Sequence, residues 1–161
     1  MSLRLRDVSP DDEGFLLEVY ASTRAQELAL VPWSDEQRQA FVKMQFAAQR
    51  DHYQERYRGA DYKVIVQDGE PVGRFYIFRD EANISILDIT ILPRFRERGI
   101  GTTLIKEIID EAAQSANTVQ IYVENFNPSL RLFQRLGFSI IAQDGINLLL
   151  EWRPPGDPKT S

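Results

Sequence analysis

The stretch RFRERGIGTT, residues 94–103, sets two glycines between a cluster of arginines and the start of a helical pattern. It follows a β-branched apolar segment at residues 84–92, so it joins a predicted strand to a predicted helix. Glycines in such a place have two explanations. They form a tight turn, or they form an anion cradle in which missing Cβ atoms let a phosphate reach backbone N–H groups. The stretch alone leaves both open.

Two well-known phosphate-binding loops do not fit this stretch. A P-loop requires Gly-Lys-Ser/Thr, and no lysine follows these glycines. The dinucleotide-binding fingerprint requires a third glycine at the position of Leu104. Its strand also opens a parallel βαβ unit, whereas the strand here ends a predicted antiparallel meander. Any anion site at residues 94–103 therefore belongs to another class.

Composition excludes several functions. The 161 residues, 43% of them hydrophobic and 27% charged, are ordinary for one globular domain, which we expect over residues 1–153 with a disordered tail at 154–161. A net charge of −5 argues against nucleic-acid binding, and no apolar stretch approaches the roughly 20 residues that span a membrane. Without cysteine and with one histidine, a metal site is not expected. The N-terminal residues lack the apolar core of a signal peptide, so we predict a cytoplasmic protein.

Hydrophobic periodicity predicts the order β-α-α-β-β-β-α-β-α-β-β. This is a mixed α+β fold with four helices and about seven strands in a mostly antiparallel sheet. The predicted strands are residues 3–7, 62–66, 71–79, 84–92, 118–123, 138–142 and 146–152, and the predicted helices are residues 9–25, 34–57, 102–116 and 128–136. Asp68-Gly69 is a predicted hairpin turn, and Ser34 marks the start of the second helix. The third helix has a predicted apolar stripe formed by Leu104, Ile105, Ile108, Ile109 and Ala112.

The strand–loop–helix unit resembles the GNAT N-acetyltransferase superfamily. The signature loop of that family is Arg/Gln-x-x-Gly-x-Gly/Ala, and residues 96–101 read RERGIG. A second segment, NPSLRLFQRLGF at 127–138, is similar to the family's Asn-Pro-x-x-x-x-(Tyr/Phe)-x-x-Leu-Gly-Phe. The family's element order fits residues 3–152, and it implies a three-layer α/β/α arrangement. Both motifs at this spacing make the resemblance specific.

The resemblance implies that acetyl-coenzyme A lies in a split between the fourth and fifth strands. The expected cofactor-binding residues are a strand segment, the signature loop and two positions of the second motif: Ile89, Thr90, Ile91, Arg96, Glu97, Arg98, Gly99, Ile100, Gly101, Thr102, Asn127 and Phe133. The strand backbone would bind the pantetheine arm, and the N–H groups of residues 97–102 would hold the pyrophosphate. Core packing is the alternative role for Ile89 and Ile91, and helix capping is the alternative for Asn127.

The implied reaction is direct attack of an amine on the thioester. An alkylamine has a pKa of about 10.4, so a base or a water path assists its deprotonation. The candidate bases are Glu27, Asp88, Glu124 and His52, with Tyr76 and Tyr122 as hydroxyl partners. For each carboxylate, a solvated surface charge is the alternative. Many relatives carry a proton-donating tyrosine where this chain has Phe133, which cannot donate a proton.

The acceptor is less well specified than the donor. In the superfamily the first two helices and their connection line the acceptor pocket, which corresponds here to residues 23–34 and to the polar residues of the second helix, Gln45, Gln49 and His52. Glu27 would suit a cationic amine, and Arg24 would suit a carboxylate. We therefore expect an acetyltransferase acting on a primary amine of a small molecule, amino acid or peptide.

Other functions stay open at this point. The chain could be a non-catalytic coenzyme A-binding sensor or assembly module, or it could transfer a bulkier acyl chain. The strands at 138–152 could pair between subunits to form a homodimer.

Overall fold

The computed structural model describes residues 2–156 and confirms a mixed α+β fold. Seven strands form one sheet in the order β1-β2-β3-β4-β5-β7-β6. The strands are β1 Leu3–Asp7, β2 Asp61–Gln67, β3 Glu70–Arg79, β4 Asn83–Ile91, β5 Thr118–Glu124, β6 Ser139–Asp144 and β7 Asn147–Trp152. The helices are α1 Glu13–Ala29, α2 Asp35–Arg56, α3 Ile100–Ser115 and α4 Leu130–Arg135, with short 3-10 turns at Pro10–Asp12 and Pro93–Phe95.

The chain divides into two compact units. The first contains Met1–Phe75 and Ile89–Arg98, and the second contains Tyr76–Asp88 and Gly99–Ser161. The expectation of a single domain over residues 1–153 stays a prediction. Most of the predicted disordered tail, residues 157–161, lies outside the described residues.

In the first unit, α1 and α2 pack around an apolar cluster formed by Leu16, Tyr20, Leu28, Val42 and Phe46. The sequence places these residues whole helical turns apart, so each helix presents them on one side.

The start of α2 is fixed by a reciprocal cap. The Oγ of Ser34 accepts from the backbone N–H of Gln37 at 3.2 Å, and the Oε1 of Gln37 accepts from the backbone N–H of Ser34 at 2.9 Å. At the entry to α1, the Arg6 guanidinium donates to both carboxylate oxygens of Asp12 at 2.8 Å. These bonds are the main reason why the pKa of Asp12 falls to about 2.

A tight hairpin turn connects β2 to β3. Asp68 and Gly69 have φ values of 52° and 82°, so both central residues are left-handed. This conformation matches the twist of paired strands and favours an Asp-Gly sequence. The sequence prediction of a hairpin at this dipeptide is confirmed.

In the second unit, α3 connects the parallel strands β4 and β5. Its buried residues are Ile100, Leu104, Ile105, Ile108 and Ala112. Four of them belong to the predicted apolar stripe, whereas Ile109 of that stripe is half-buried. A parallel pair requires a crossover connection of this kind, because a short turn cannot return the chain to the same end of the sheet. Strand β5 also pairs antiparallel with β7, and β7 pairs antiparallel with the edge strand β6.

Several helix boundaries differ from the predictions, and α1 begins at Glu13, after a 3-10 turn, rather than at residue 9. Helix α1 continues to Ala29 rather than to Ala25, and α3 begins at Ile100 rather than at Thr102. The second glycine of the loop is therefore inside α3, which is sterically allowed but weakens the helix locally. Helix α4 begins at Leu130 because the Oδ1 of Asn127 holds the backbone N–H of Ser129 in a turn at 2.9 Å.

In the first unit, the backbone of Gly73 on β3 lies very close to the backbone of β4. A Cβ added to Gly73 would lie 2.2 Å from the carbonyl oxygen of Thr90 and 3.1 Å from the Cα of Ile91. No real side chain tolerates such a contact, so only glycine permits β4 to lie where it does. Just beyond this contact, the N–H of Leu92 donates to the carbonyl of Val72 at 2.9 Å.

We predict that Gly73→Ala destabilises the protein by about 1–3 kcal/mol, since a new methyl group meets backbone that must shift. Urea denaturation measures this change. Gly14→Ala is the matched control, because a Cβ at Gly14 in α1 meets nothing within 4 Å. Alanine there should be neutral or stabilising by up to about 1 kcal/mol. Equal free energies of unfolding for the two variants would contradict the close approach.

Candidate functional site

The N-terminus of α3 is left without a side-chain cap. Gly99 is the N-cap residue, with a left-handed φ of 77°, and it has no side chain to accept a hydrogen bond. The first backbone bond of the helix runs from the N–H of Thr103 to the carbonyl of Gly99 at 3.0 Å. The N–H groups before Thr103 therefore point out of the end of the helix.

These groups are the backbone N–H donors of Ile100, Gly101 and Thr102. Within residues 2–156, no acceptor lies within hydrogen-bond distance of them. A Cβ built on Gly99 or Gly101 would meet nothing within 4 Å. Helix α3 is 16 residues long, and its dipole gives this end about half a positive charge. The arrangement suits an anion and fits the phosphates of coenzyme A.

Backbone strain is concentrated in the same loop. Glu97 has a φ of 66°, one of the few positive values outside glycine. A left-handed conformation costs an ordinary residue about 1–2 kcal/mol. Strain of this kind persists where the surrounding structure requires a specific backbone path. Here that path brings the chain into the start of α3.

Each arginine of the signature region has a partner in the first unit. Arg96 Nε donates to the carbonyl of Ile91 at 3.0 Å, so it ties the loop to the end of β4. Arg98 donates to the Oε1 of the buried Gln67 at 3.1 Å and lies 5.2 Å from the ring centre of Phe95. Arg94 lies 4.9 Å from the same ring. The sequence places a cluster of arginines beside the glycines. The structure shows that these arginines also hold the loop in position.

The predicted pantetheine-binding segment, Ile89 to Ile91, lies at the end of β4. All three residues are half-buried, and the carbonyl of Ile91 already accepts from Arg96. The Thr90 carbonyl is the atom that approaches Gly73. The backbone of this segment is therefore fixed from two sides, by β3 and by the signature loop.

The ladder between β4 and β5 is short. It runs from the pair Asn83 and Thr118 to the pair Ile86 and Ile121, although β5 continues to Glu124. Asp88 on β4 lies past the end of this ladder and is half-buried. The strands of the second unit thus stop pairing where the family resemblance predicts a split.

Two candidate catalytic residues share one face of β5 past this point. Tyr122 and Glu124 are two residues apart, which places their side chains on the same side of the strand. Tyr122 is 67% exposed, and Glu124 is half-buried. The carboxylate of Glu124 has no hydrogen-bond partner among the described residues. The structure therefore leaves a carboxylate and a phenol available on one surface.

The remaining predicted residues lie in different surroundings. Glu27 is 62% exposed on α1 and pairs with Arg24 at 3.2 Å. His52 is exposed on α2 beside the rings of Tyr53 and Tyr57, and Tyr76 is buried on β3. The roles predicted for these residues in catalysis stay predictions.

The second motif has a structural role in the second unit. The Oδ1 of Asn127 accepts from the N–H and the Oγ of Ser129 at 2.9 and 2.8 Å, which forms a turn ahead of α4. The N-cap residue of α4 is Ser129, so the helix-capping alternative for Asn127 was wrong. Phe133 is 1% exposed and packs edge-on against Phe138 at 5.2 Å. The predicted contacts of Asn127 and Phe133 with coenzyme A stay predictions.

A polar cluster in the first unit was only partly predicted from the sequence. Arg74 on β3 is 2% exposed and donates to the Oε1 of Gln49 at 2.9 Å. Its guanidinium also lies 5.8 Å from the ring centre of Tyr20. An arginine inside the run GRFYIF was the available signal, because a charged residue in a buried strand requires polar partners.

Metal ligands and membrane-spanning helices are both missing from the described part of the chain. Within residues 2–156, no group of three or more His, Asp or Glu side chains is placed to hold a metal ion. Over the same residues, the helices are too short or too polar to cross a lipid bilayer.

Comparison with protein families gives a match over most of the chain. The model described as the acetyltransferase (GNAT) family matches residues 18–138. No curated protein matches the chain.

Solved structures share its fold at low sequence identity. The PaiA N-acetyltransferase of Thermoplasma acidophilum, solved in complex with coenzyme A, is 18% identical with a TM-score of 0.72, covering 95% of this chain and 99% of that one. An acetyltransferase of Thermus thermophilus is 18% identical with a TM-score of 0.67, covering 95% and 97%. A GNAT family acetyltransferase of Elizabethkingia anophelis, solved with acetyl-coenzyme A bound, is 18% identical with a TM-score of 0.58, covering 94% and 97%.

We predict that Gly101→Glu lowers the affinity for coenzyme A at least about tenfold while the protein stays folded. The new carboxylate would stand at the open end of α3, and like charges a few ångströms apart repel by more than the roughly 1.4 kcal/mol that a tenfold change requires. Calorimetric titration with coenzyme A measures the change. Gly14→Glu, also a helical glycine facing open space, should bind normally. Unchanged affinity in Gly101→Glu would contradict an anion site at this helix end.

Proposed function

Because the chain belongs to the GNAT acetyltransferase family, we propose that it transfers an acetyl group from acetyl-coenzyme A to a primary amine by direct attack. The acceptor is a small molecule, an amino acid or a peptide. The observation that carries the proposal is the uncapped N-terminus of α3, where three N–H donors face open space beside two glycines. Release of free thiol from acetyl-coenzyme A, measured over a panel of amines, tests it.

Donor binding depends on two backbone segments. The N–H groups of residues 97–102 hold the pyrophosphate, with the positive end of the α3 dipole behind them. The backbone of Ile89 to Ile91 binds the pantetheine arm. When bound, the donor supplies an activated thioester for the amine to attack. Arg96 contributes indirectly, because its hydrogen bond to the Ile91 carbonyl fixes the position of the loop relative to the end of β4.

The amine must lose a proton before it can attack, and Glu124 is the leading base. Its carboxylate is half-buried, has no hydrogen-bond partner in the described part of the chain, and shares a face of β5 with the exposed hydroxyl of Tyr122. Asp88, past the end of the β4–β5 ladder, is the second candidate. Glu27 is weaker in this role, because its ion pair with Arg24 already occupies it.

The departing thiolate needs no dedicated acid in this proposal. Phe133 stands where many relatives have a tyrosine, and a buried phenylalanine cannot donate a proton. A thiol of this kind has a pKa of about 8.5, so its thiolate is a tolerable leaving group near neutral pH. Solvent then supplies the proton.

We predict that Glu124→Gln lowers kcat/KM by about 10²- to 10⁴-fold, the usual contribution of a positioned base. The rates of the wild type and the variant are compared over a range of pH, because loss of a general base changes the pH dependence of the reaction as well as its rate. Asp88→Asn is measured in parallel over the same pH range. If both variants keep the wild-type rate and its dependence on pH, neither residue is the general base.

A non-catalytic coenzyme A-binding module is the second candidate, and the burial of Phe133 at the proton-donor position favours it. Binding of acetyl-coenzyme A without thiol release on any amine would support this module. Competition among acyl-coenzyme A species would reveal a preference for a bulkier chain.

We also propose that two copies pair through β6 to form a homodimer in the cytoplasm. Every residue of this edge strand is exposed, including Ile140 and Ile141 at 47% and 41%. A second β6, running antiparallel, would pair the backbone groups of an open edge and cover both isoleucines. Light scattering should give twice the chain mass for the wild type and one chain mass for Ile140→Lys. A monomeric wild type at micromolar concentration would contradict this proposal.

A further inference from the structure

A buried arginine and a partly exposed arginine flank one tyrosine in the first unit. Arg24 on α1 donates through Nε to the hydroxyl of Tyr20 at 3.2 Å, and its guanidinium lies 5.7 Å from the ring centre. Arg74 on β3 lies 5.8 Å from the same ring. Tyr20 itself is 4% exposed and donates to the Oε1 of Gln45 at 3.2 Å. Two positive charges are thus held around one side chain.

This cluster contains more hydrogen-bond donors than acceptors. Arginine only donates, so the Oε1 of Gln49 must be the atom that accepts from Arg74. The Oε1 of Gln45 is occupied by the Tyr20 hydroxyl. Both glutamine oxygens are therefore used, and the two Nε2 groups have no acceptor among the described residues. Gln45 and Gln49 are both half-buried.

The cluster is adjacent to the strand expected to carry the thioester. Arg74 follows Gly73, whose backbone lies against Thr90 on β4. The other members belong to the two helices, Tyr20 and Arg24 to α1, and Gln45 and Gln49 to α2. The first unit therefore groups these hydrogen-bond donors from α1, α2 and β3 around Tyr20.

One acidic side chain already contacts this cluster. Glu27 accepts from Arg24 Nη1 at 3.2 Å, and it is 62% exposed while Arg24 is 36% exposed. An exposed ion pair of this type contributes little free energy, so a ligand carboxylate can displace Glu27 at small cost.

We propose that Arg24, with Gln45, Gln49 and Arg74 around Tyr20, binds a carboxylate of the acceptor. The acceptor is then an amine that also carries a carboxylate, such as a free amino acid. The inference rests on the proposed acetyl transfer for its amine, but the carboxylate site is argued from the cluster alone. A bidentate carboxylate matches the guanidinium, and the amide N–H groups accommodate its remaining lone pairs. The Glu27 carboxylate competes with the carboxylate of the acceptor for Arg24.

The test compares amino acids with the amines that remain when their carboxylate is removed. Acetylation of α-, β- and γ-amino acids, of these amines and of aminophosphonates is followed by thiol release. We expect kcat/KM for the best amino acid to exceed that of its decarboxylated partner, and Arg24→Met to lower it about 10- to 100-fold, the usual value of a charged hydrogen bond. The decarboxylated amine should be used equally well by both proteins.

Three further variants make the result specific. Arg50→Met is the matched control, since Arg50 on α2 is also a surface arginine, paired with Glu13 at 2.7 Å. It should behave as wild type. Arg24→Lys should restore part of the preference, because it keeps the charge. Glu27→Gln should raise the affinity for the amino acid, because it removes the competing carboxylate.

The outcomes separate this inference from the proposed function. Equal use of amino acids and decarboxylated amines, or a preference for aminophosphonates, would overturn the carboxylate assignment while acetyl transfer stands. Weaker coenzyme A binding in Arg24→Met would also overturn it, by assigning the arginine to the donor. If no amine is acetylated, the proposed function fails. An amino acid that then raises the melting temperature of the wild type, but not of Arg24→Met, would still support the carboxylate site.

Discussion

The contact between Gly73 and the Thr90 carbonyl is the constraint on which the first unit depends. It lets β4 lie closer to β3 than any side chain would permit, and it fixes the backbone of Ile89 to Ile91. Arg96 then ties the following loop to the carbonyl of Ile91. A rigid strand end is what a reaction at a bound thioester requires, because misplacement of reacting atoms by about 1 Å costs rate.

The signature loop shows how stability and binding are divided among neighbouring residues. Its arginines are held by Gln67, Phe95 and Ile91, so they organise the loop. In the proposed site, the binding groups are instead the main-chain N–H groups that a glycine cap leaves open. Glu97 carries backbone strain in the same loop. Strain and an uncapped helix end both reduce stability, and the proposed anion site would explain why this loop has both.

Much of this architecture was predictable because it depends on local rules. The Asp68-Gly69 turn, the Ser34 cap and the apolar stripe of α3 each follow from neighbouring residues, and each was predicted. Helix ends were less predictable. Gly101 reads as a loop residue but lies inside α3, because burial of the preceding isoleucine outweighs the weak helix propensity of glycine. The buried Arg74 could be noticed in the sequence, but its partners on α1 and α2 could not.

The sequence by itself determined the family and the element order, since two motifs with fixed spacing specify a strand, a glycine loop and a helix. Only the tertiary structure decided which side chains meet across long separations. Arg74 meets Gln49 and Tyr20, and Gly73 meets Thr90, because strand pairing and helix packing bring distant residues together. Periodicity gives the face on which a residue lies but not its neighbour on another element. For that reason the sequence left the acceptor open, and the proposal made for it rests on contacts that only the fold brings together.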